Sequence, residues 1–239
     1  MHGDDGSGRA LTGVMPPVSI GPMPRTILVT EGDTPLGAEL VRLLVERGHS
    51  VAAASHPSDS GRDAGEARNP LVLRWNRRSP VSARSVVLSV LNAFGKLDEA
   101  LILEPAAPGA AALGDVPSAD IDRAFDDAKG PMLLLREVMS TFARLGAGTV
   151  CFVSGGTAAG PVQSAAREAF RGFAGALLSS PGPGILANGF QAGTAGPEEY
   201  AAFIDRTLEE RARRIGGRWY TVPPRGGFLQ GVFKTSSTP

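Results

Sequence analysis

The sequence predicts an α/β protein with a doubly wound parallel sheet of about seven strands and helices on both faces. Two features of the chain support this fold class. From Arg25 onward, short apolar runs that suit buried strands alternate regularly with longer segments of helical spacing. The first apolar run also passes through a glycine-containing turn into a helix, as the first strand–helix unit of such a sheet does.

The first strand and the first helix have clear boundaries in the sequence. Thr26–Thr30 is a mainly apolar run that suits a buried strand. Pro35 suits the first helical position, where a missing N–H costs nothing, and Thr34 suits the N-cap. We expect this helix to reach about Arg47, since Gly48 then provides the stop.

The later elements repeat the alternation, with turn-forming residues between them. Residues 162–178 show the helical spacing well, because their apolar side chains form one continuous face. Further strands are predicted at 50–54, 71–75, 97–103, 149–153, 185–190 and 219–222. Further helices are predicted at 81–94, 119–145 and 162–178, and another opens at Pro197.

Composition limits the function classes. The chain has 24 basic and 24 acidic residues, so we expect neither a nucleic-acid partner nor a membrane surface. No apolar run approaches the roughly 20 residues that span a bilayer. The single cysteine, Cys151, excludes a disulfide framework and a cysteine-based metal site, and it is interpreted as a buried structural thiol. A cytoplasmic protein without a metal site is expected.

The domain organisation is simple. Glycine, proline, serine and aspartate are frequent in residues 1–24, which we interpret as a flexible tail. Residues 25–227 are expected to form a single domain, and residues 228–239 a C-terminal tail.

The turn after the first strand combines a fold signal with unsuitable chemistry. The dinucleotide-binding template G-x-G-x-x-G falls on Gly32, Thr34 and Gly37, so the middle glycine is absent. Glu31 adds a negative charge, and Pro35 removes a backbone N–H that would otherwise point at a phosphate. We predict that this turn joins strand to helix and that it does not hold a pyrophosphate.

Seven short segments follow one another over roughly residues 25–227. They are residues 30–37 (T-G-x-x-x-G-x-G), 94–98 (F-G-x-L-D), 103–106 (N-N-A-G), 127–130 (N-L-x-G), 148–154 with the strand-end serine, 169–173 after the catalytic pair, and Asn188 with Gly193 (N-x-x-x-P-G). In this order they resemble the motifs, given in parentheses, of the short-chain dehydrogenase/reductase (SDR) family. The resemblance implies a Rossmann-like fold and hydride transfer between a nicotinamide and a carbonyl or alcohol.

The same resemblance places the catalytic groups on unsuitable residues. The tyrosine position is Gln163, the lysine position is Arg167, the asparagine position is Asp127, and the serine position is Ser154 or Gly155. An amide has no titratable proton near neutral pH, and a guanidinium does not deprotonate. We therefore expect no catalytic residue at these degenerate positions.

Other polar residues have a structural interpretation beside a functional one. The Ser154 hydroxyl is interpreted as bonding its own backbone at a strand end, and its flanking residues lack the glycine before a nucleophile elbow. Tyr200 and Tyr220 are assigned to the C-terminal helix and strand, so neither replaces the family tyrosine. A lid implied by the family is missing, because Pro197 follows Gly193 almost at once.

Basic residues near strand ends also have both a structural and a functional interpretation. His56 follows the second strand, where the family places Asp for NAD or Arg for NADP; it is either an exposed loop histidine or a contact to a 2′-phosphate. The missing acid favours NADP(H) if any cofactor binds. Arg77 and Arg78 are interpreted as a solvated turn, and Arg213 and Arg214 as a solvated helix end, in preference to anion sites.

Three functions follow. The leading hypothesis is a non-catalytic SDR-like subunit that completes an active SDR partner in a heteromeric ketoreductase or alcohol oxidase of natural-product biosynthesis. Partner binding or self-association would use helices 119–145 and 162–178. The alternatives are an atypical NADP(H)-dependent reductase and a ligand- or protein-binding module. The apolar residues assigned to the association surface are Leu133, Leu134, Leu135, Met139, Phe170, Phe173 and Leu177.

Overall fold

A computed structural model describes residues 23–56, 69–105, 112–155 and 160–223, with only the backbone at Arg211. The predicted tails lie outside these residues, apart from Met23 and Pro24. Within the described residues, seven strands form one sheet in the order β3-β2-β1-β4-β5-β6-β7, and every neighbouring pair is parallel. The strands are Thr26–Thr30 (β1), Ser50–Ser55 (β2), Leu71–Arg74 (β3), Glu99–Leu103 (β4), Gly148–Ser154 (β5), Ile185–Gln191 (β6) and Arg218–Thr221 (β7).

The predicted fold class is confirmed by this strand order. The chain leaves β1 in one direction to make β2 and β3, and it resumes at β4 on the other side of β1. In open α/β sheets this reversal creates a crevice outside the carboxyl ends of the strands, where ligands bind. Predicted boundaries shift slightly: β4 begins at Glu99 and not at Leu97, and β7 ends at Thr221.

Capping residues, a first-position proline and glycines set the ends of the helices. The Thr34 hydroxyl oxygen accepts the Gly37 N–H at 3.1 Å, and Pro35 is the first residue of α1, as predicted. Gly95 and Gly146 end α2 and α3 in the left-handed conformation that glycine permits. The helices are Pro35–Glu46 (α1), Pro80–Phe94 (α2), Ser118–Leu145 (α3), Pro161–Ser179 (α4) and Pro197–Thr207 (α5), which continues as a π-helical turn at Leu208–Ala212.

Two apolar layers hold the sheet between the helices. Helices α2, α3 and α4 cover one face, where Trp75, Phe142 and Phe152 are buried. Helices α1 and α5 cover the other face, and Cys151 is buried there as predicted. No helix among the described residues is long and apolar enough to cross a membrane.

Two glycines in regular elements give a matched stability prediction. A Cβ on Gly189, in β6, would lie 2.2 Å from the Trp219 ring, so Gly189→Ala is expected to lower the free energy of unfolding by about 1–3 kcal/mol. A Cβ on Gly172, in α4, would meet no atom within 4 Å, so Gly172→Ala is expected to raise it by about 0.5–1 kcal/mol. Urea denaturation of both variants measures these changes, and equal effects would contradict the packing described here.

Candidate functional site

A cleft of about 410 Å³ lies at the carboxyl ends of β4, β5 and β6. Helices α1, α3, α4 and α5 complete its walls. Gln163, Arg167 and Asp127, three of the residues that the resemblance assigns to catalytic positions, line the cleft, and Ser154 lies next to its lining residue Gly155. The apolar part of the wall includes Leu36, Leu103, Val153, Ala166, Phe170 and Ala192.

Glu104 connects two of the predicted positions. The Ser154 hydroxyl donates to Glu104 Oε2 at 2.6 Å, and Arg167 Nε donates to Glu104 Oε1 at 2.6 Å. Arg167 Nη2 also donates to the Gly155 carbonyl oxygen at 2.9 Å. The prediction that Ser154 bonds its own backbone is therefore wrong, because its hydroxyl binds the carboxylate that follows β4. Arg167 is a fixed cation whose charge Glu104 balances inside the site.

Tyr200 is a site residue that the sequence interpretation missed. It lies in the first turn of α5 and lines the cleft, although it was assigned only to the C-terminal helix. Its hydroxyl donates to the Ser154 carbonyl oxygen at 2.9 Å. Burial, together with the negative charge of Glu104, raises the pKa of Tyr200 above its ordinary value. The phenol is therefore a neutral hydrogen-bond donor. The signal in the sequence is that Tyr200 lies in the first turn of the helix that follows β6, and this turn lies near the carboxyl end of the strand.

The turn after β1 contains a buried three-way ion pair. Glu31 directly follows β1, has a left-handed backbone with φ of 55°, and is 3% exposed. Its carboxylate pairs with Arg77, whose Nη1 donates to Asp127 Oδ1 at 2.7 Å. The predicted solvated turn is thus wrong for Arg77, which is buried, whereas Arg78 is exposed and pairs with Asp126. Burial raises the pKa of Glu31, and Arg77 opposes this shift.

The glycines of this turn serve close packing. A Cβ on Gly37 would lie 2.0 Å from the Glu31 carbonyl oxygen, so only glycine lets α1 approach the turn this closely. A Cβ on Gly32 would lie 2.8 Å from that of Ala53 in β2.

His56 follows the end of β2 and is exposed.

A second buried cluster lies at the opposite edge of the sheet, where β1, β2 and β4 begin. His49 is fully buried; its Nδ1 accepts the Arg25 N–H at 3.3 Å, and its Nε2 faces Glu209 Oε1 at 3.4 Å. Arg213 donates to Glu99 Oε2 at 3.0 Å and pairs with Glu209. The prediction of a solvated helix end is therefore wrong for Arg213, whose side chain is 5% exposed.

His49 predicts a pH dependence of stability. Burial, reinforced by the positive charge of Arg213 and opposed by Glu209, lowers the pKa of His49 below its ordinary value of about 6.5. The unfolded chain therefore binds this proton first, so the stabilisation is fully present above about pH 6.5 and is lost as the pH falls toward the folded pKa. His49→Gln is expected to make the urea midpoint of unfolding depend less on pH between pH 5 and 7.

Urea denaturation at several pH values measures this profile. His56→Gln is the control, because His56 is exposed and its replacement is expected to keep the wild-type slope. A His49→Gln profile that parallels the wild-type profile would contradict the assignment.

The helices assigned to association keep much of their apolar surface inside the molecule. Leu134, Leu135 and Phe170 are buried in the chain's own core and are not available to a partner, so that part of the interpretation is corrected. The remaining four are only partly buried: Leu133 and Met139 on α3, and Phe173 and Leu177 on α4.

Among the described residues, no group of three or more histidine, cysteine or acidic side chains is placed to hold a metal ion.

The strand order, the crevice at the β1–β4 switch and the helices on both faces define a Rossmann-like fold of the SDR type. Among solved structures with this fold is levodione reductase, with a TM-score of 0.68, 15% sequence identity, and coverage of 83% of this chain and 95% of that chain. No family model and no curated protein matches the sequence. Because 1590 chains of solved structures match, the fold alone selects no single activity.

Proposed function

We propose that this chain is a non-catalytic subunit with a reductase fold that completes an active SDR-type partner. The assembly would be a heteromeric ketoreductase or alcohol oxidase of natural-product biosynthesis. The observation that carries the proposal is that Glu104 binds both Arg167 and Ser154, which the SDR resemblance assigns to the lysine and serine positions. Gln163, assigned by the same resemblance to the tyrosine position, also lines the cleft.

Proton transfer is the chemical step that this arrangement does not support. A general acid or base works best with a pKa near the operating pH. Gln163 and Arg167 do not titrate there. Burial raises the pKa of Tyr200, and its proton is directed at the Ser154 carbonyl oxygen. Both oxygens of Glu104 already accept hydrogen bonds from the protein.

The turn after β1 also does not fit a nicotinamide dinucleotide. A pyrophosphate needs backbone N–H groups at a helix N-terminus and a close approach without negative charge. Here Pro35 has no N–H, the Gly37 N–H is taken by Thr34, and the carboxylate of Glu31 is buried beneath the turn. We therefore propose that the nicotinamide cofactor belongs to the partner.

Co-expression with an active relative that retains the family tyrosine and lysine tests this function. Native mass measurement is expected to give a mixed assembly, and its reductase activity is expected to fall when this chain is omitted. Leu177→Asp is expected to weaken the assembly because Leu177 is a partly exposed apolar residue of α4. Ala176→Asp, at the exposed neighbour, is the matched control. A chain that stays alone and binds NADPH tightly would refute the proposal.

A second candidate is an atypical NADP(H)-dependent reductase that works by positioning its reactants. The open cleft beside Arg167 favours it, and so does the exposed His56, a basic residue directly after β2. Titration of the isolated chain with NADPH separates this candidate from the first. Saturable binding that His56→Ala weakens would support it, and no binding at millimolar NADPH would remove it.

A further inference from the structure

We propose that the cleft binds a small, uncharged, mainly apolar molecule that carries one amide- or carbonyl-like polar group, and that it does so without a dinucleotide. The proposal concerns the isolated chain, and it does not depend on the proposed partner. It rests on one juxtaposition: the β4–β6 half of the crevice is open, whereas the ion pair between Glu31, Arg77 and Asp127 spans the β1–β3 half.

The open half has the size and the surface of a ligand pocket. Its volume of about 410 Å³ falls within the roughly 300–1,000 Å³ of such pockets. Most of its wall is aliphatic or aromatic, and pockets of this kind orient their ligand with a few polar groups. Gln163 provides such a group, because an amide offers two donors and one acceptor and can bond a ligand while it keeps a protein contact.

Charges in and beneath the cleft disfavour an anion. Three carboxylates, those of Glu31, Glu104 and Asp127, face two guanidinium groups, those of Arg77 and Arg167. Among the described lining residues Arg167 is the only cation, and Glu104 already balances it. A phosphate or carboxylate ligand would therefore enter a site with excess negative charge.

The N-terminal ends of α1 and α5 do not reverse this preference. Helices α1 and α5 both begin with a proline that lines the cleft, Pro35 and Pro197, and a proline has no N–H to offer an anion. A shallow neighbouring groove between these prolines is lined by Glu39, Glu198 and Glu199. The two acids of α5 lie in its first turn and occupy the positive end of the helix dipole.

The closed half limits the length of the ligand. Arg77 reaches from the segment after β3 to the turn after β1 and to α3, so among the described residues it bridges three of the elements that border this half. The close fit is visible at Gly130 of α3, where a Cβ would lie 2.6 Å from the Arg77 Cβ. A dinucleotide extends over both halves of a Rossmann sheet, whereas a compact molecule needs only the open half.

An isosteric pair of probes tests the proposal on the full chain. Calorimetric titration with 4-phenylbutanamide is expected to saturate, and 4-phenylbutanoate is expected to bind at least about tenfold more weakly. Inorganic pyrophosphate and AMP are expected not to bind. Equal or tighter binding of the carboxylate, of pyrophosphate or of AMP would overturn the proposal, and so would a failure of the amide to saturate at millimolar concentration.

Variants locate the binding to the cleft. Ala195→Phe, on the cleft wall, is expected to weaken amide binding at least about tenfold, and Gln163→Leu is expected to weaken it by a similar factor. Ala165→Phe, at an exposed position of α4, is the matched control and is expected to bind like wild type. Melting curves verify that each variant folds; if Ala195→Phe does not, Gln163→Leu decides. Unchanged amide affinity in the folded cleft variants would overturn the assignment.

Discussion

Replacement of Arg77 by methionine is expected to lower the free energy of unfolding by about 3–5 kcal/mol, because it leaves the buried carboxylates of Glu31 and Asp127 without their shared cation. Methionine keeps the apolar stem that packs against Gly130, so the change removes mainly the charge. Urea denaturation followed by circular dichroism measures the loss.

The control for this variant is its neighbour. Arg78→Met removes an exposed guanidinium that pairs with Asp126, and the unfolding midpoint is expected to change little. The loss of unfolding free energy caused by Arg77→Met is also expected to be smaller at low pH. The pKa of Glu31, already raised by burial, rises further without Arg77, so Arg77→Met gains a proton as the pH falls, and this proton compensates for the positive charge that was removed. Equal losses for Arg77→Met and Arg78→Met would contradict the buried ion pair.

Arg213→Met is expected to have a comparable effect at the other edge of the sheet. Glu99 is fully buried at the start of β4, and Arg213 donates to its carboxylate at 3.0 Å. Without the guanidinium, the buried carboxylate must either stay charged without this partner or bind a proton, at a cost of about 3–5 kcal/mol near neutral pH. Burial already raises the pKa of Glu99, so the cost should again decrease at lower pH.

Arg214→Met is the matched control for Arg213, since Arg214 follows it directly and is exposed. Thermal and urea unfolding of both variants at pH 5.5 and pH 7.5 distinguish the two positions. A large loss at Arg214, or no loss at Arg213, would contradict the burial of the Glu99–Arg213 pair.

Much of the fold could be predicted because its signals are local. Thr34 and Pro35 mark the start of α1 through one N-cap bond and one fixed backbone angle, and neither depends on the rest of the molecule. Gly95 likewise ends α2 through its own left-handed conformation. Apolar runs between such markers predict a parallel sheet, because both faces of each strand must be buried.

The ion pairs could not be predicted, because they join residues that are distant in sequence. Arg77 lies 46 positions from Glu31 and 50 positions from Asp127. In sequence it stands next to another arginine in a turn, which is typical of solvated residues. Arg213 similarly lies 114 positions from Glu99. Only the order of the strands brings these charges together.

Only part of the candidate site could likewise be predicted from the sequence. Gln163, Arg167 and Asp127, which the motif spacing singled out, line one cleft because the strand order brings their elements together. Glu104 was recognised only as part of a motif, and its contact with Ser154 depends on a side-chain orientation that spacing does not define. Tyr200 was missed because the predicted start of α5 at Pro197 does not by itself show that the first turn of this helix lies against the cleft.

The contact between Glu31, Arg77 and Asp127 also restricts how this lineage can change. Loss of Arg77 alone leaves two buried carboxylates, and loss of either carboxylate leaves Arg77 with one partner. A cost of about 3–5 kcal/mol for a broken buried pair is a large part of the roughly 5–15 kcal/mol that keeps a domain folded. Replacement of Arg77 before its partners therefore passes through a poorly folded intermediate, so the order in which these three residues are replaced determines whether the chain stays folded.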